Sequence, residues 1–272
     1  MNNEFCKYTK FSTNIINSIL CNNIWHAEVS TLNDPFELNF RFKKNMPSNI
    51  NDLTALFERN NYFTLDVNKE KEKEAFIRIF LNEGLEGILN VSNKIIEAAE
   101  NNFIKQVGKR KPFICSMSIY DDEPLMWSHY SDGMKGICIV YNADVLHDSG
   151  LELKKVNYDE KIHEVDFLKT YESYKKLGSK FNAKDLSNIY FSKHKRWEYE
   201  GEYRSVLWPE EHELNLSGIQ YPLPENAIKR IIYGYRISQS ELNTLKKLAK
   251  LKKIPLFQAS PNYSEFRVII DK

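Results

Sequence analysis

The sequence is short of the features that usually announce a function. Its four cysteines, Cys6, Cys21, Cys115 and Cys138, are scattered and form no CxxC pair. That spacing gives no zinc-ligand set. Three of them lie in apolar or aromatic surroundings, as free thiols of a reducing cytoplasm do. No apolar run approaches the ~18 residues of a membrane helix. The opening MNNEFCKYTK lacks the basic start and apolar stretch of a secretory signal. A formal charge of +1 supplies no global field for nucleic acid or anionic lipid. GxSxG, HExxH, Walker A and GxGxxG are all missing, which removes the serine hydrolase, zinc protease, P-loop and Rossmann readings. A cytoplasmic protein with no membrane contact and no metal is the expectation.

What is present suits an ordinary globular core. The chain has 272 residues, 42% hydrophobic and 28% charged, enough to bury a sizeable interior. Aromatics reach 13%, with 15 Tyr and 16 Phe, which fits either a dense mixed core or a pocket that stacks planar ligands.

Periodicity divides the chain into short strands and longer helices. Ile15, Ile16, Ile19 and Leu20 recur at helical spacing, and IWHAEV alternates as a strand does. Asn33-Asp34-Pro35 marks a turn, because proline pushes its predecessor out of the helical region. Residues 66–107 read as helix in two pieces with a break at Gly84 or Gly87, and 162–194 as two helices breaking near Gly178. FICSMSIY, GICIVYN, EYRSVLW, AIKRIIYGY and EFRVII read as strands, with LELKKVNYD as a further candidate. SQSELNTLKKLAKLKK is an amphipathic helix whose Ser238 and Glu241 have capping-box spacing. The sum is one α+β domain with a mixed, mainly antiparallel β core and a helical insertion at about 66–107.

Four clusters could carry chemistry. Lys7-Tyr8 opens the first strand. LNDPFEL is either a turn closed by Asn33 and Asp34 with Phe36 in the core, or a ligand loop with Phe36 as a stacking face. CSMS, followed by PLMWSHYSDGMKG, gathers Ser116, Ser118, Trp127, His129 and Tyr130. WEYEGEYR places Glu200 and Glu202 two apart, so that an extended backbone projects both carboxylates together. Close carboxylates push one pKa up, and a carboxylate beside a ribose stabilises an oxocarbenium-like centre as a leaving group departs. The plainer alternative pairs Glu202 with Arg204, Lys193 or Lys195.

Together, KY, LNDPFEL, FICSMS, MWSHYSDGMKGICI and W-x-YEGEYR resemble a widespread bacterial family of uncharacterised proteins, DUF2971, over most of the chain from Lys7 to about Tyr235. Their order in turn resembles the ADP-ribosyltransferase superfamily, whose fold combines an early strand residue, a Ser-x-Ser-like strand and a Glu-x-Glu around NAD. That resemblance implies an ADP-ribosyltransferase-like core and an NAD-consuming activity, as a transferase or NAD glycohydrolase, in a toxin or phage-defence effector. It makes Glu202 the carboxylate acting on the nicotinamide ribose, with Glu200 assisting the acceptor; His129, which has no counterpart in the superfamily's pattern, is a further catalytic candidate on its local setting. Lys7 or Tyr8 takes the early position, where the superfamily has arginine, and Ser116 and Ser118 take the middle strand. Asn33, Asp34, Phe36, Trp127, Tyr130 and Arg204 complete the expected NAD contacts, and the acceptor is a protein, a nucleic acid or water. Two other readings stand beside it. One is a non-catalytic nucleotide- or nucleic-acid-binding module using GKRKP, KHKRW and LKKLAKLKK, although such runs also serve as solvated faces. The other is a hydrolase pairing His129 with a carboxylate.

Overall fold

The computed structural model describes residues 3–36, 40–43, 49, 51, 69–107, 111–166, 170, 187–213 and 215–271. The chain runs β1 (Glu4–Thr9), α1 (Thr13–Leu20), β2 (Asn23–Glu28), β3 (Phe40–Lys43), α2 (Lys69–Val107), β4 (Phe113–Ser118), α3 (Pro124–Tyr130), β5 (Ile137–Asn142) and α4 (Ala143–Asp148). It continues with β6 (Lys154–Lys155), β7 (Asn157–Asp159), β8 (His163–Asp166), α5 (Ser187–Tyr190), β9 (Ser192–His194), β10 (Glu202–Leu207), β11 (Gly218–Pro222), β12 (Ile228–Gly234), α6 (Gln239–Lys252), β13 (Leu256–Asn262) and β14 (Arg267–Asp271). The fold is α+β with a mixed, mostly antiparallel sheet.

The chain separates into two compact units. One comprises Met1–Leu38, Lys111–Lys161 and Tyr190–Lys272, and the other Asn39–Arg110 and Ile162–Ile189. The second unit holds α2 and the parallel pair β3–β8. Helix α2 breaks at Gly84, whose φ of 67° and ψ of −156° leave the helical region, while Gly87 stays inside the helix. His163–Asp166 is a strand, not the start of the helix expected at 162. Its four residues, HEVD, pair parallel with FRFK of β3, and that long-range pairing overrides the local helical pattern. The break expected near Gly178 lies outside the described residues, as does the helical start at 66.

The large sheet of the first unit runs β11-β2-β4-β1-β5-β12-β13-β14, with β10 on β4 and β6 on β10. Its middle is apolar because GICIVYN sits between two full ladders. β5 pairs antiparallel with β1 from Glu4↔Asn142 to Thr9↔Ile137 and with β12 on its other side. Among the described residues of this sheet only β12 and β13 run parallel, joined by α6, whose capping box is formed on both sides by Ser238 and Glu241.

Strand β4 has an unusual neighbourhood. On one edge it pairs with β10 through all six residues, from Glu202↔Ser118 to Leu207↔Phe113. Its other edge is shared, with β2 at Phe113 and Ile114 and β1 through one couple, Cys6↔Ser118. Cys6, Ser118 and Glu202 therefore stand in one row across three strands. Alternation places Tyr8, Ser116 and Arg204 on the same side. An apolar cluster of Cys6, Tyr8, Met126, Trp127, Cys138 and Val140 fills that side near β1, while Phe5, Cys115 and Met117 join the core beneath.

Candidate functional site

The segment before β10 is where sequence and structure part company. Glu200 and Glu202 do not alternate on one strand. Lys195–Glu200 forms a 3-10 helix that ends at Gly201 in the left-handed region, and the strand starts only at Glu202. Gly201 has φ 50°, and a Cβ there would lie 2.5 Å from Tyr120 Cε2 and 2.9 Å from Ile119 Cγ1, so the turn has no room for a side chain. Both carboxylates nevertheless meet, because each reaches Lys193 on β9. Lys193 Nζ donates to Glu200 Oε2 at 2.6 Å and to Glu202 Oε2 at 3.2 Å.

Arg204 closes the other end. Its Nε donates to Glu202 Oε1 at 2.7 Å and its Nη2 to Oε2 at 3.0 Å, a two-pronged contact that matches guanidinium to carboxylate. Its Nη1 also donates to the Tyr190 carbonyl at 2.9 Å. Strands β7 and β9 pair in register at Tyr158↔Lys193, and both side chains serve Glu202. Lys193 binds its carboxylate, and the Tyr158 hydroxyl accepts its backbone N–H at 2.8 Å. Glu200 is gripped from helix α3, where Tyr130 donates its O–H to Oε1 at 2.5 Å, and Asn33 Nδ2 donates to that hydroxyl at 3.4 Å. Ser118 Oγ donates to the Glu200 carbonyl at 2.6 Å and accepts the Tyr120 N–H, fixing the chain around the turn.

Glu200 and Glu202 are each 3% exposed and Arg204 is 0% exposed, so the charges interact with little water between them. The two acids respond in opposite ways. Burial pushes the Glu202 carboxyl up, but the charges of Arg204 and Lys193 and a hydrogen bond from Ser116 outweigh it and hold it at about 2. Burial also pushes Glu200 up, and the neighbouring Glu202 charge adds to it. Lys193 and the Tyr130 hydroxyl oppose the rise without cancelling it. Burial works against the Lys193 charge too, yet the two glutamates raise its pKa overall. The result is a firmly held anion beside a carboxyl shifted the other way, the separation from which acid–base pairs are built.

The other candidate residues sort by face. Tyr8 lies on the Glu202 side of the sheet, buried, with its hydroxyl donating to the Tyr120 carbonyl at 2.9 Å. Lys7 points to the opposite side, where Nζ donates to Cys115 Sγ at 3.2 Å and to the Ser116 carbonyl at 3.4 Å. Trp127 is wholly buried, packs edge-on against Tyr8 and donates its indole N–H to the Asp121 carbonyl, so it shows no face to a ligand. His129 is exposed and lies between Tyr130 and Tyr199, with ring centroids 6.5 and 6.4 Å away. Asp34 is buried and accepts the Phe36 N–H at 2.9 Å, forming the turn, while Phe36 itself is 68% exposed rather than in the core. Glu37 and Leu38 of LNDPFEL lie outside the described residues.

Three contributors went unnoticed in the sequence. Tyr158 sits in a three-residue strand with no periodicity to mark it. Tyr199 and Trp197 lie on the 3-10 helix and extend the ring series, Trp197 to Tyr199 at 6.1 Å, with Lys193 Nζ 4.8 Å over the Trp197 ring. Their signal was the WEYE spelling itself, aromatic residues alternating with acids.

Residues 126–205 match the family model of DUF2971, a protein of unknown function. The DUF2971 match takes in Tyr130, Lys193, Glu200, Glu202 and Arg204, so the whole ion cluster lies within it. Lys7, Tyr8, Asn33, Asp34, Phe36, Ser116 and Ser118 fall before it. The chain matches no curated protein and no solved structure. Among the described residues no helix is long and apolar enough to cross a membrane.

Proposed function

We propose that the protein is an NAD-consuming enzyme of ADP-ribosyltransferase type, working through the Glu200–Glu202 pair. One observation carries the reading: two adjacent buried carboxylates share Lys193, and their surroundings shift their pKa values in opposite directions. The order of the KY, Ser-x-Ser and Glu-x-Glu elements, which resembles that superfamily, supports it. In this scheme Glu202 stays ionised and stabilises positive charge at C1′ of the nicotinamide ribose as the C1′–N bond breaks and nicotinamide leaves with the bonding pair. The acceptor, a protein side chain, a nucleic acid or water, forms the new bond to C1′. Glu200, a stronger base than an ordinary carboxylate once ionised, takes the acceptor's proton. For Glu202 to meet a ribose hydroxyl, one of its present partners must yield. Lys193, whose Glu202 contact is the longer of its two, can turn wholly to Glu200.

The test is nicotinamide release from NAD by the purified protein with protein, nucleic-acid and water acceptors supplied. Activity should fall ~10²-fold or more in Glu202→Gln. The wild-type rate should rise with pH through the raised Glu200 value, and Glu200→Gln should lose transfer together with that limb. Absence of both NAD binding and NAD turnover would end the proposal.

One observation favours a second reading. The half-exposed series Trp197, Tyr199, His129, Tyr130 could stack successive bases of a single strand without any catalysis. Salt-dependent binding of single-stranded DNA or RNA that survives Glu202→Gln would support that module.

A further inference from the structure

A strand at a sheet margin shows unpaired N–H and C=O groups, and proteins blunt such margins with proline, lysine, bulges or brevity. Two margins of the large sheet follow that rule. β6 is two residues long, and both are lysines. β11 begins with Gly218 and ends with Pro222. β14 is different. Its sequence RVIID has three consecutive β-branched residues at its centre and no proline or lysine. Among the described residues it pairs with β13 alone, in unbroken register from Asn262↔Arg267 to Gln258↔Asp271. Ile269, in the middle, is 40% exposed, and Arg267 and Asp271 are exposed at the ends.

The order of these five side chains is self-complementary. Antiparallel pairing with a second copy, centred on Ile269, sets Arg267 against Asp271 twice, Val268 against Ile270 twice, and Ile269 against itself. Alternation puts the charged pairs and Ile269 on one face and the Val268–Ile270 pairs on the other. Val268 is buried, and Ile270 packs on the same apolar cluster as Trp127 and Ile232, so the pairing carries that cluster into the second copy. A one-residue slip loses both the charge matches and the facing of the apolar side chains. In the single chain Arg267 pairs with Glu265, but both are largely exposed and such a pair holds weakly.

We propose that β14 is a self-association edge, through which two copies of this chain join their sheets about a two-fold axis at Ile269. Five residues of ladder make an interface smaller than the ~1,600 Å² of a standard one, so the dimer is reversible and concentration-dependent.

Sedimentation equilibrium of the full chain over a concentration series reads this directly. The wild type should move from monomer to dimer mass, and Ile269→Lys should remain monomeric with an unchanged thermal midpoint. Arg267→Asp, which sets acid against acid, should weaken association at least tenfold, and Arg267→Asp combined with Asp271→Arg should restore it. The restored pair guards against a variant that merely unfolds. A wild type that stays monomeric throughout, or a dimer indifferent to Ile269→Lys and to the charge exchange, overturns the proposal.

Discussion

Two ion clusters in the first unit have the same formal composition, two acids and two bases, and behave differently. Glu4 and Asp121 meet Lys229 and Arg230 beside β1, where every side chain keeps part of its surface in water. There the Arg230 hydrogen bond outweighs burial and holds Glu4 at about 2. Glu200 and Glu202 meet Lys193 and Arg204 with almost no exposure. Burial there pushes both acids up, and the charges of Arg204 and Lys193 reverse that for Glu202 but not for Glu200. Equal charge thus makes a simple tie in one place and a pair of acids shifted apart in the other, and the difference is water.

Arg204→Ala should sharpen that contrast most. It removes the two-pronged partner of the buried Glu202 carboxylate and the donor to the Tyr190 carbonyl, and should cost about 3–5 kcal/mol in denaturant unfolding, against about 1 kcal/mol or less for Arg230→Ala. Equal losses would break it. Next in size is the pH dependence. The folded Glu200 pKa lies above the ordinary 4.5, so its contribution is present below 4.5 and lost as pH rises through the folded value. Glu202 and Glu4 run the other way, contributing above 4.5 and losing it as pH falls towards about 2. Acidification from neutral should therefore first raise stability, with a slope of up to about 1.4 kcal/mol per pH unit, and then lower it. Glu200→Gln should abolish the rise and keep the fall. Tyr130→Phe removes the hydroxyl that opposes the Glu200 shift, so it should cost about 1–2 kcal/mol and move the rising limb to higher pH. Glu4→Gln should be the mildest, about 1 kcal/mol or less, and its effect should shrink in ~1 M salt, where charges are screened beyond a few ångströms.

Much of this fold is legible in local pattern. β4, β5, β10, β12 and β14 follow apolar runs or alternation, and α6 carries its cap in the spelling S-x-x-E. β11 and β13 were not marked as strands, because GIQYP and LFQASPN gain their order from β2 and β12, far away in sequence. The site was half legible. Two glutamates and an arginine in EGEYR showed that carboxylates would gather, but strand alternation was the wrong reason. Lys193 brings them together, and its place depends on the β7–β9 pairing, which no local signal announces. In the sequence Trp127, a ring near His129 and Tyr130, stands among the expected NAD contacts. Helix α3 turns it inward onto Tyr8 instead.

The lone Cys6↔Ser118 couple between β1 and β4 has a consequence for how the sheet opens. β1 with β5 and β4 with β10 are each tied along six residues, so each ladder should release its amide protons to exchange as a block. With a single backbone couple between them, reinforced by the Lys7 contacts to Cys115 and Ser116, the two blocks need not open together. Deuterium uptake should then divide the sheet along a line running past Ser118, the residue that also braces the turn at Gly201.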